Sequence, residues 1–194
     1  MQKLFNITNE TDHIVKIELA NGKKHNPLSL ELIKELTNSL IQISSQKKVK
    51  VLIISSEGPG FSAGHDLDEL RKNRNNKKFF NELFNECSNL MQTIMNLPQP
   101  VIAEVCGIAA AAGCQLVASC DLAVASEQAS FMTPGVNIGL FCSTPMVAVS
   151  RNLSRKKIME MLLTGEKLSA KDAVDYGLIN HCVPLNQLHQ KTLS

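Results

Sequence analysis

The sequence predicts an α/β fold with a largely parallel sheet, and two features of its pattern support this. Short apolar segments of strand type alternate along the chain with segments whose apolar residues recur at helical spacing. Such alternation is typical of βαβ units, whose strands pair in parallel. The composition, 44% apolar and 20% charged over 194 residues, is that of a globular chain. Because no repeat or linker interrupts the pattern, we expect a single domain over residues 1–194.

Four elements are predicted in the first half of the chain. Residues 13–20 (HIVKIELA) alternate in the manner of a strand, and residues 49–56 (VKVLIISS) form an apolar run of the buried-strand type. Between them a helix is predicted after the N-cap residue Ser29, because leucine and isoleucine recur at helical spacing over residues 30–40. A longer helix is predicted over residues 80–94, and the segment LPQP ends it.

Three strands and two helices are predicted in the second half. The strands are the apolar segments VIAEVCG, DLAVAS and LINHCVP, at residues 101–107, 121–126 and 178–184. One helix follows from the spacing of Ile158, Met161 and Leu162 and stops at Gly165. The other is short, covers residues 169–177 and begins at a serine cap.

Charge and hydropathy argue against several classes of partner. Lys and Arg number 20 against 18 Asp and Glu, so a net charge of +2 gives no strong attraction to nucleic acid. The longest small or apolar run, residues 105–114, is too short to span a bilayer. We therefore expect no nucleic-acid or membrane partner. The basic cluster RKNRNNKK at residues 71–78 predicts a solvated loop, with binding of an anionic ligand as the alternative.

The cysteines and the N-terminal segment bear on compartment. Six cysteines lie among apolar neighbours without a C-x-x-C pair, which predicts buried thiols in a reducing compartment and no metal site. The segment MQKLFNITNETDH has no apolar core, one lysine and two acids, and so fits neither a secretory signal nor an arginine-rich transit peptide. We expect a cytoplasmic protein, with the mitochondrial matrix as the alternative.

The loop GPGFSAGHDL, at residues 58–67, follows a buried strand and has three interpretations. Its glycines are a weak match to a dinucleotide-binding loop. G-F-S-A-G matches the G-x-S-x-G elbow of serine hydrolases and would make Ser62 a nucleophile, although Gly58, Pro59 and Gly60 separate it from the strand. In the third interpretation the small residues let a ligand approach the backbone N–H groups.

The segment GIAAAAGCQ, at residues 107–115, shares this property of small side chains after a buried strand. Two such turns could each direct one N–H group at the same carbonyl oxygen. A pair of donors of this kind forms an oxyanion hole, in which each donor is worth about 3–4 kcal/mol of transition-state stabilisation. A tightly packed helix start explains the alanine run equally well, so the run alone does not decide between the two.

Three segments together resemble the crotonase superfamily, which has the enoyl-CoA hydratase/isomerase fold. They are GFSAGHDLDEL, VIAEVCGIAAAAGCQLVASCDLAVASEQASF and TGEKLSAKDAVDYGLINHCVP, and the similarity runs from about Ile14 to the C-terminus. The segments AAGCQLVASCD and TPGVNIGLFCSTP resemble one subgroup in particular. The resemblance implies a crotonase-like fold of repeated ββα and βα units, and an acyl-CoA thioester of fatty acid metabolism as ligand.

The resemblance also implies roles for particular residues. The N–H groups of Ala63 and Ala112 would form the oxyanion hole. Gly64, His65 and Asp66 would continue the loop that contacts the adenine end of coenzyme A, and Lys23 and Lys24 match a basic turn near its phosphates. No cofactor is implied beyond the coenzyme A of the substrate itself.

The sequence departs from the family pattern at the acid/base positions. Hydratases of the family carry two glutamates that position and activate water, and here these positions correspond to Gln115 and Gly135. An amide can orient water but cannot take its proton near neutral pH, and glycine has no side chain. Three functions therefore stay open: a crotonase-type enzyme that acts by hydration, isomerisation or another enolate reaction, a non-catalytic acyl-CoA-binding protein, and a serine hydrolase or thioesterase that uses Ser62.

A second departure lies at the C-terminus. By the resemblance, family members continue beyond the HCVP strand with helices that cover the acyl pocket and build a trimer or hexamer. This chain ends at LNQLHQKTLS, so we expect a domain truncated at the C-terminus. The missing helices would leave apolar surface exposed, which makes a family-type oligomer uncertain from the sequence alone.

Overall fold

Two sheets of short strands organise the computed structural model, which describes residues 3–194. The larger sheet has six strands, and β1 and β2 pair antiparallel while the remaining neighbours pair in parallel. Its spatial order is β1 (Phe5–Asn9), β2 (Ile14–Leu19), β3 (Val51–Ser56), β5 (Val101–Val105), β7 (Leu122–Ser126) and β10 (His181–Val183).

The smaller sheet is built from continuations of the central strands of the larger one. β3, β5 and β7 are each followed within a few residues by a strand of the second sheet, which pairs in parallel except at its last pair. Its order is β4 (Gly60–Ser62), β6 (Ile108–Ala110), β8 (Ser130–Met132) and β9 (Leu168–Ser169). The repeated ββα arrangement that the resemblance implied is thereby confirmed.

Helices connect these strand pairs, and several begin at the cap that the sequence specifies. The Ser29 side chain accepts a hydrogen bond from the Leu32 N–H, and Ser169 does the same for Asp172. The helices are α1 (Leu30–Ser44), α2 (Leu67–Lys72), α3 (Lys77–Asn96), α4 (Ala112–Ser119), α5 (Ser143–Val149), α6 (Arg155–Thr164), α7 (Ala170–Asp175) and α8 (Leu188–Leu193). None of the helices in residues 3–194 combines the length and apolar character that a bilayer crossing requires.

The core lies between the larger sheet and the pair formed by α1 and α3. Both helices place leucine and isoleucine at helical spacing on their inner faces, and residues such as Leu36, Leu40, Leu83 and Leu90 are completely buried. Full burial of one such side chain stabilises the fold by about 1.5–3 kcal/mol. α4 differs, since seven of its eight residues are buried and its polar residue Gln115 is among them.

Part of the surface around α5 and α6 is apolar. Large apolar side chains are exposed to solvent there, among them Ile138, Leu140, Phe141, Val147 and Leu163.

The strands and helices predicted from periodicity are all present, with boundaries that differ by a few residues. The loop assigned to residues 58–67 contains β4, and the alanine run contains β6 and the start of α4. β4 and β6 have three residues each, which is too short for the alternation of apolar and polar residues that identifies a strand. α2, α5 and α8, which were not predicted, are likewise short.

Candidate functional site

The two small-residue turns meet side by side. β4 and β6 are parallel neighbours, with Gly60 opposite Ile108 and Ser62 opposite Ala109 across an irregularity in register, and the turns that follow them pack together. A Cβ atom on Gly64 would lie 2.9 Å from the Ala110 carbonyl oxygen, and one on Gly113 would lie 2.4 Å from the Ser62 carbonyl oxygen. The small side chains are therefore required by the close approach of two backbone segments.

Ala112 presents a backbone N–H group at this contact. It is the first residue of α4, and within residues 3–194 its N–H has no hydrogen-bond acceptor. The preceding residue, Ala111, has φ 49°, a conformation that is strained for a residue with a side chain. A Cβ on Gly64 would stand 3.2 Å from the Ala112 nitrogen, so the glycine leaves space beside this nitrogen, although Ala112 as a whole is only 1% exposed.

Ala63 does not present a free N–H group. Its N–H donates to the His25 carbonyl oxygen at 2.8 Å, although the residue itself is exposed. The Ala63 N–H is thus already engaged whereas the Ala112 N–H is not, and the oxyanion hole of both amides stays a prediction. The bond joins residues that are far apart in sequence, so no local sequence pattern could have predicted it.

The geometry of Ser62 argues against a nucleophile. Its Oγ is completely buried, donates to the Asn26 carbonyl oxygen at 2.8 Å and accepts from the Gly64 N–H at 3.2 Å. Ser62 ends strand β4, whereas the nucleophile of an elbow lies exposed on a strand-to-helix turn. Its hydroxyl holds two turns together.

Gln115 lines a groove of about 170 Å³ between α3, α4 and α5. Only 6% of the residue is exposed, and its Oε1 is enclosed with no hydrogen-bond partner in the described residues. Its Nε2 has no hydrogen-bond acceptor among the described residues, and the residue lines the groove. An unpaired buried polar group costs about 1–3 kcal/mol, which makes this amide a candidate contact for a ligand. The opposite wall, from α3, is mostly apolar with Phe84, Met91 and Met95, and it also includes Ser88 and Gln92.

Gly135 lies in a 3-10 turn, Pro134–Ile138, and has no room for a side chain. A Cβ there would be 2.9 Å from both the Cys142 Sγ and the Leu140 carbonyl oxygen. The Leu140 N–H also donates to the Gly135 carbonyl oxygen at 2.9 Å, which closes the turn. Any larger residue at position 135 would have to displace this backbone.

The basic turn and the loop of Asp66 lie next to each other. Lys23 and Lys24 are exposed in the 3-10 turn Gly22–Lys24, and the Lys24 Nζ is 3.9 Å from the Asp68 carboxylate of α2. Asp66 caps α2, because its Oδ1 accepts from the N–H groups of Asp68 and Glu69 at 2.9 and 3.2 Å. The Asp66 carboxylate therefore orders the loop. Lys23 is exposed and available to an anion, whereas Lys24 lies at ion-pair distance from Asp68.

The His65 imidazole points into the protein and not into the exposed loop. It packs edge-on against the Phe84 ring at 5.6 Å, and both ring nitrogens are enclosed without a hydrogen-bond partner. Burial lowers the pKa of His65, although the backbone of Leu28 opposes this shift. In this conformation the His65 side chain does not reach a ligand in the loop, which differs from the sequence-based expectation.

Asn26 is a positioning residue that the sequence analysis did not single out. It is completely buried with φ 48°, and its Nδ2 donates to the carbonyl oxygens of Glu57 and Gly60 at 3.0 and 2.9 Å. Asparagine tolerates this left-handed conformation better than most residues, and its place in the turn NGKKHNP was the available signal. Asn26 ties the basic turn to β4.

Within residues 3–194 no three His, Cys, Asp or Glu side chains converge in a way that could hold a metal ion. Burial raises the pKa of the Cys87 thiol to about 11 and that of Cys114 to about 12. Thiols held in the protonated form are poor nucleophiles and poor ligands.

The chain matches a family model described as enoyl-CoA hydratase/isomerase over residues 9–194. It is 51% identical over 184 residues to human mitochondrial enoyl-CoA hydratase domain-containing protein 3, an alignment that covers 95% of this chain and 60% of that protein. This agrees with the subgroup resemblance of the two segments near Gln115 and Gly135. The chain thus spans about 60% of the length of this curated relative.

Solved structures give the same match in three dimensions. The structure of the human protein superposes with a TM-score of 0.94 at 49% identity. The match covers 98% of this chain and 75% of the human chain. An enoyl-CoA hydratase from Mycobacterium smegmatis superposes with a TM-score of 0.94 at 42% identity, over 97% of this chain and 73% of its own.

Proposed function

The chain belongs to the enoyl-CoA hydratase/isomerase family, and on this premise we propose that it binds an acyl-CoA thioester and polarises its carbonyl group without adding water. The observation that carries the proposal is the free Ala112 N–H beside Gly64. An unpaired amide at the start of a buried helix offers a donor and the positive end of the helix dipole to a carbonyl oxygen.

In this proposal the thioester oxygen accepts a hydrogen bond from the Ala112 N–H. Polarisation of the carbonyl draws electron density toward this oxygen and makes the neighbouring carbon more acidic, and no deprotonation is part of the proposal because the groove supplies no base. Ala63 takes the second place only as a three-centre donor, because its N–H already bonds to the His25 carbonyl oxygen at 2.8 Å. Ala112 is therefore the principal donor of the site.

Coenzyme A would lie along the edge formed by the basic turn and the loop of residues 63–66. Lys23 and Lys24 are exposed there and can pair with phosphate oxygens as flexible point charges. The backbone of Gly64, His65 and Asp66 borders the same edge, since the Leu28 N–H donates to the Gly64 carbonyl oxygen at 2.8 Å. The enclosed imidazole of His65 takes no part in this contact.

Hydration is not part of the proposal, because the groove offers no base. None of the side chains that line it is Asp, Glu or His. Gln115 cannot take a proton from water, and the space beside Gly135 is filled by Leu140 and Cys142. This favours acyl-CoA binding over turnover, and incubation with crotonyl-CoA should leave its absorbance unchanged.

We also propose a compartment, a metabolic role and an association state for the protein. The human relative is named mitochondrial, so we propose the mitochondrion as the site of action in place of the cytoplasm. An acyl-CoA ligand would connect the protein to fatty acid metabolism. We also propose self-association through the apolar surface around Phe141 and Val147, which light scattering of the purified chain would detect.

Calorimetric titration with butyryl-CoA tests the proposed ligand, with two glycine variants as a matched pair. Gly64→Ala adds a Cβ 3.2 Å from the Ala112 nitrogen at φ +88°, whereas Gly139→Ala adds one at φ +74° with no atom within 4 Å. Both carry backbone strain of about 1–2 kcal/mol, and the first also brings its Cβ within 2.9 Å of the Ala110 carbonyl oxygen beside the amide, so thermal unfolding of both variants checks that they fold. We expect Gly64→Ala to weaken binding about tenfold or more and Gly139→Ala to leave it unchanged. Absence of binding to wild-type protein would contradict the proposal.

A further inference from the structure

Arg151 is the one charged side chain that lines the groove. It follows α5 at the exposed rim, and among residues 3–194 no carboxylate lies within ion-pair distance of its guanidinium. Its Nη1 is 3.5 Å from the Met95 Sδ, which is a weak acceptor. The groove thus has a positive rim without a compensating acid.

A second free donor lies on the same wall. Gln115 lines the groove, and its Nε2 has no acceptor in the described residues. A plain hydrocarbon chain in the groove would cover the buried Gln115 amide without providing an acceptor, which leaves this donor unpaired, and it would give the exposed Arg151 guanidinium no partner. A carboxylate offers two oxygens and matches the planar guanidinium.

The length of α4 relates the proposed thioester position to the rim. Ala112 begins α4 and does not itself line the groove, whereas Gln115 and Ser119, further along the helix, do. The seven steps from Ala112 to Ser119 rise about 10 Å. Arg151 lies at the far end, because its neighbour Asn152 donates from Nδ2 to the Ala118 carbonyl oxygen at 3.1 Å. Allowing for the reach of the arginine side chain, this distance suits an acyl chain of about four to six carbons.

We infer that the groove takes the thioester of a short dicarboxylic acid, with its free carboxylate on Arg151 and Gln115 and its thioester carbonyl on the Ala112 N–H. The inference rests on the proposed function and names the class of acyl group. A monocarboxylic chain of the same length fills the same space but leaves both donors unpaired.

The test compares glutaryl-CoA, pentanoyl-CoA and free coenzyme A by calorimetric titration of the full chain. Wild-type protein should bind glutaryl-CoA about tenfold or more tightly than pentanoyl-CoA, since a hydrogen bond to a charged group is worth about 1.5–3 kcal/mol. Arg151→Gln should abolish this preference and leave the affinity for pentanoyl-CoA unchanged. Arg155→Gln removes a nearby exposed arginine outside the groove and should retain the preference.

Each other outcome overturns the inference in a recognisable way. Equal affinities in wild-type protein, or an undiminished preference in Arg151→Gln, refute the carboxylate site and leave the proposed function standing. If Arg151→Gln and Arg155→Gln lose the preference for glutaryl-CoA to the same extent, the preference reflects general electrostatic attraction and not a carboxylate site. If neither thioester binds more tightly than free coenzyme A, the proposed function fails and the inference with it. Thermal unfolding of both variants checks their folding, and Arg151→Met replaces Arg151→Gln if the latter unfolds.

Discussion

By the family resemblance, positions 115 and 135 are those at which hydratases carry glutamates, and the two positions differ in the structure. Gln115 keeps a polar side chain in an open groove, with its amide unpaired. Gly135 has no side chain, and backbone and sulfur atoms stand 2.9 Å from where a Cβ would be. The first position lacks the charge but has the space, whereas the second lacks the space as well. A single substitution could place a carboxylate only at the first.

The largest effect should come from Gly135→Glu. The new side chain must displace the Leu140 carbonyl or Cys142, and we expect a loss of about 3 kcal/mol or more in the free energy of unfolding. The measurement is urea denaturation followed by circular dichroism. Gly139→Glu is the matched control in the same loop, with no atom within 4 Å of its Cβ, and should lose only about 1 kcal/mol through its positive φ. Comparable stability of the two variants would mean that position 135 is open.

Gln115→Glu should have a smaller effect that depends on pH. Desolvation in the groove should raise the pKa of the new carboxyl above its usual value of about 4.3, with Arg151 opposing the shift. The folded variant then holds its proton more tightly than the unfolded chain, so its stability falls as the pH rises through that window. We expect about 1–2 kcal/mol of destabilisation at pH 8 and little at pH 4.5, measured by urea unfolding.

Gln115→Met is the control for this prediction, because it keeps the length of the side chain but has no titratable group. If the free energies of unfolding of Gln115→Glu and Gln115→Met differ by the same amount at every pH, position 115 is not enclosed as described. Neither Gln115→Glu nor the double variant Gln115→Glu, Gly135→Glu should hydrate crotonyl-CoA, because position 135 has no room for a glutamate side chain without displacement of its neighbours. Recovery of hydration in the double variant would overturn the comparison between the two positions.

The smallest effect concerns His65, which packs behind the groove wall that faces Gln115. Phe84 lines the groove and packs against His65, whose pKa is lowered by burial. The unfolded chain therefore binds more protons than the folded one between that lowered value and about 6.5, and stability should be lost as the pH falls below about 6.5. His65→Phe should remove this component when urea unfolding at pH 7.5 and pH 5.5 is compared. His181→Gln, at an exposed histidine, should behave as the wild type.

Periodicity in the sequence predicted the larger sheet and the long helices, because α1, α3 and the buried strands carry enough residues to display a pattern. Resemblance identified Gln115 and Gly135. What the sequence left unresolved depends on contacts between distant segments: the bond from the Ala63 N–H to His25, the closure of Gly135 by residues 140–142, and the inward direction of His65. Arg151 was not singled out either, since an isolated arginine becomes informative only when its missing partner can be seen.

The central claim is that the Ala112 N–H donates a hydrogen bond to a thioester carbonyl. Isotope-edited infrared spectroscopy with butyryl-CoA labelled by carbon-13 at the carbonyl measures this bond directly. The account predicts that the carbonyl stretch moves to lower frequency on binding to the wild-type chain and that Gly64→Ala loses most of the shift while Gly139→Ala keeps it. An unshifted carbonyl in bound ligand, or an equal shift in Gly64→Ala, would contradict the claim.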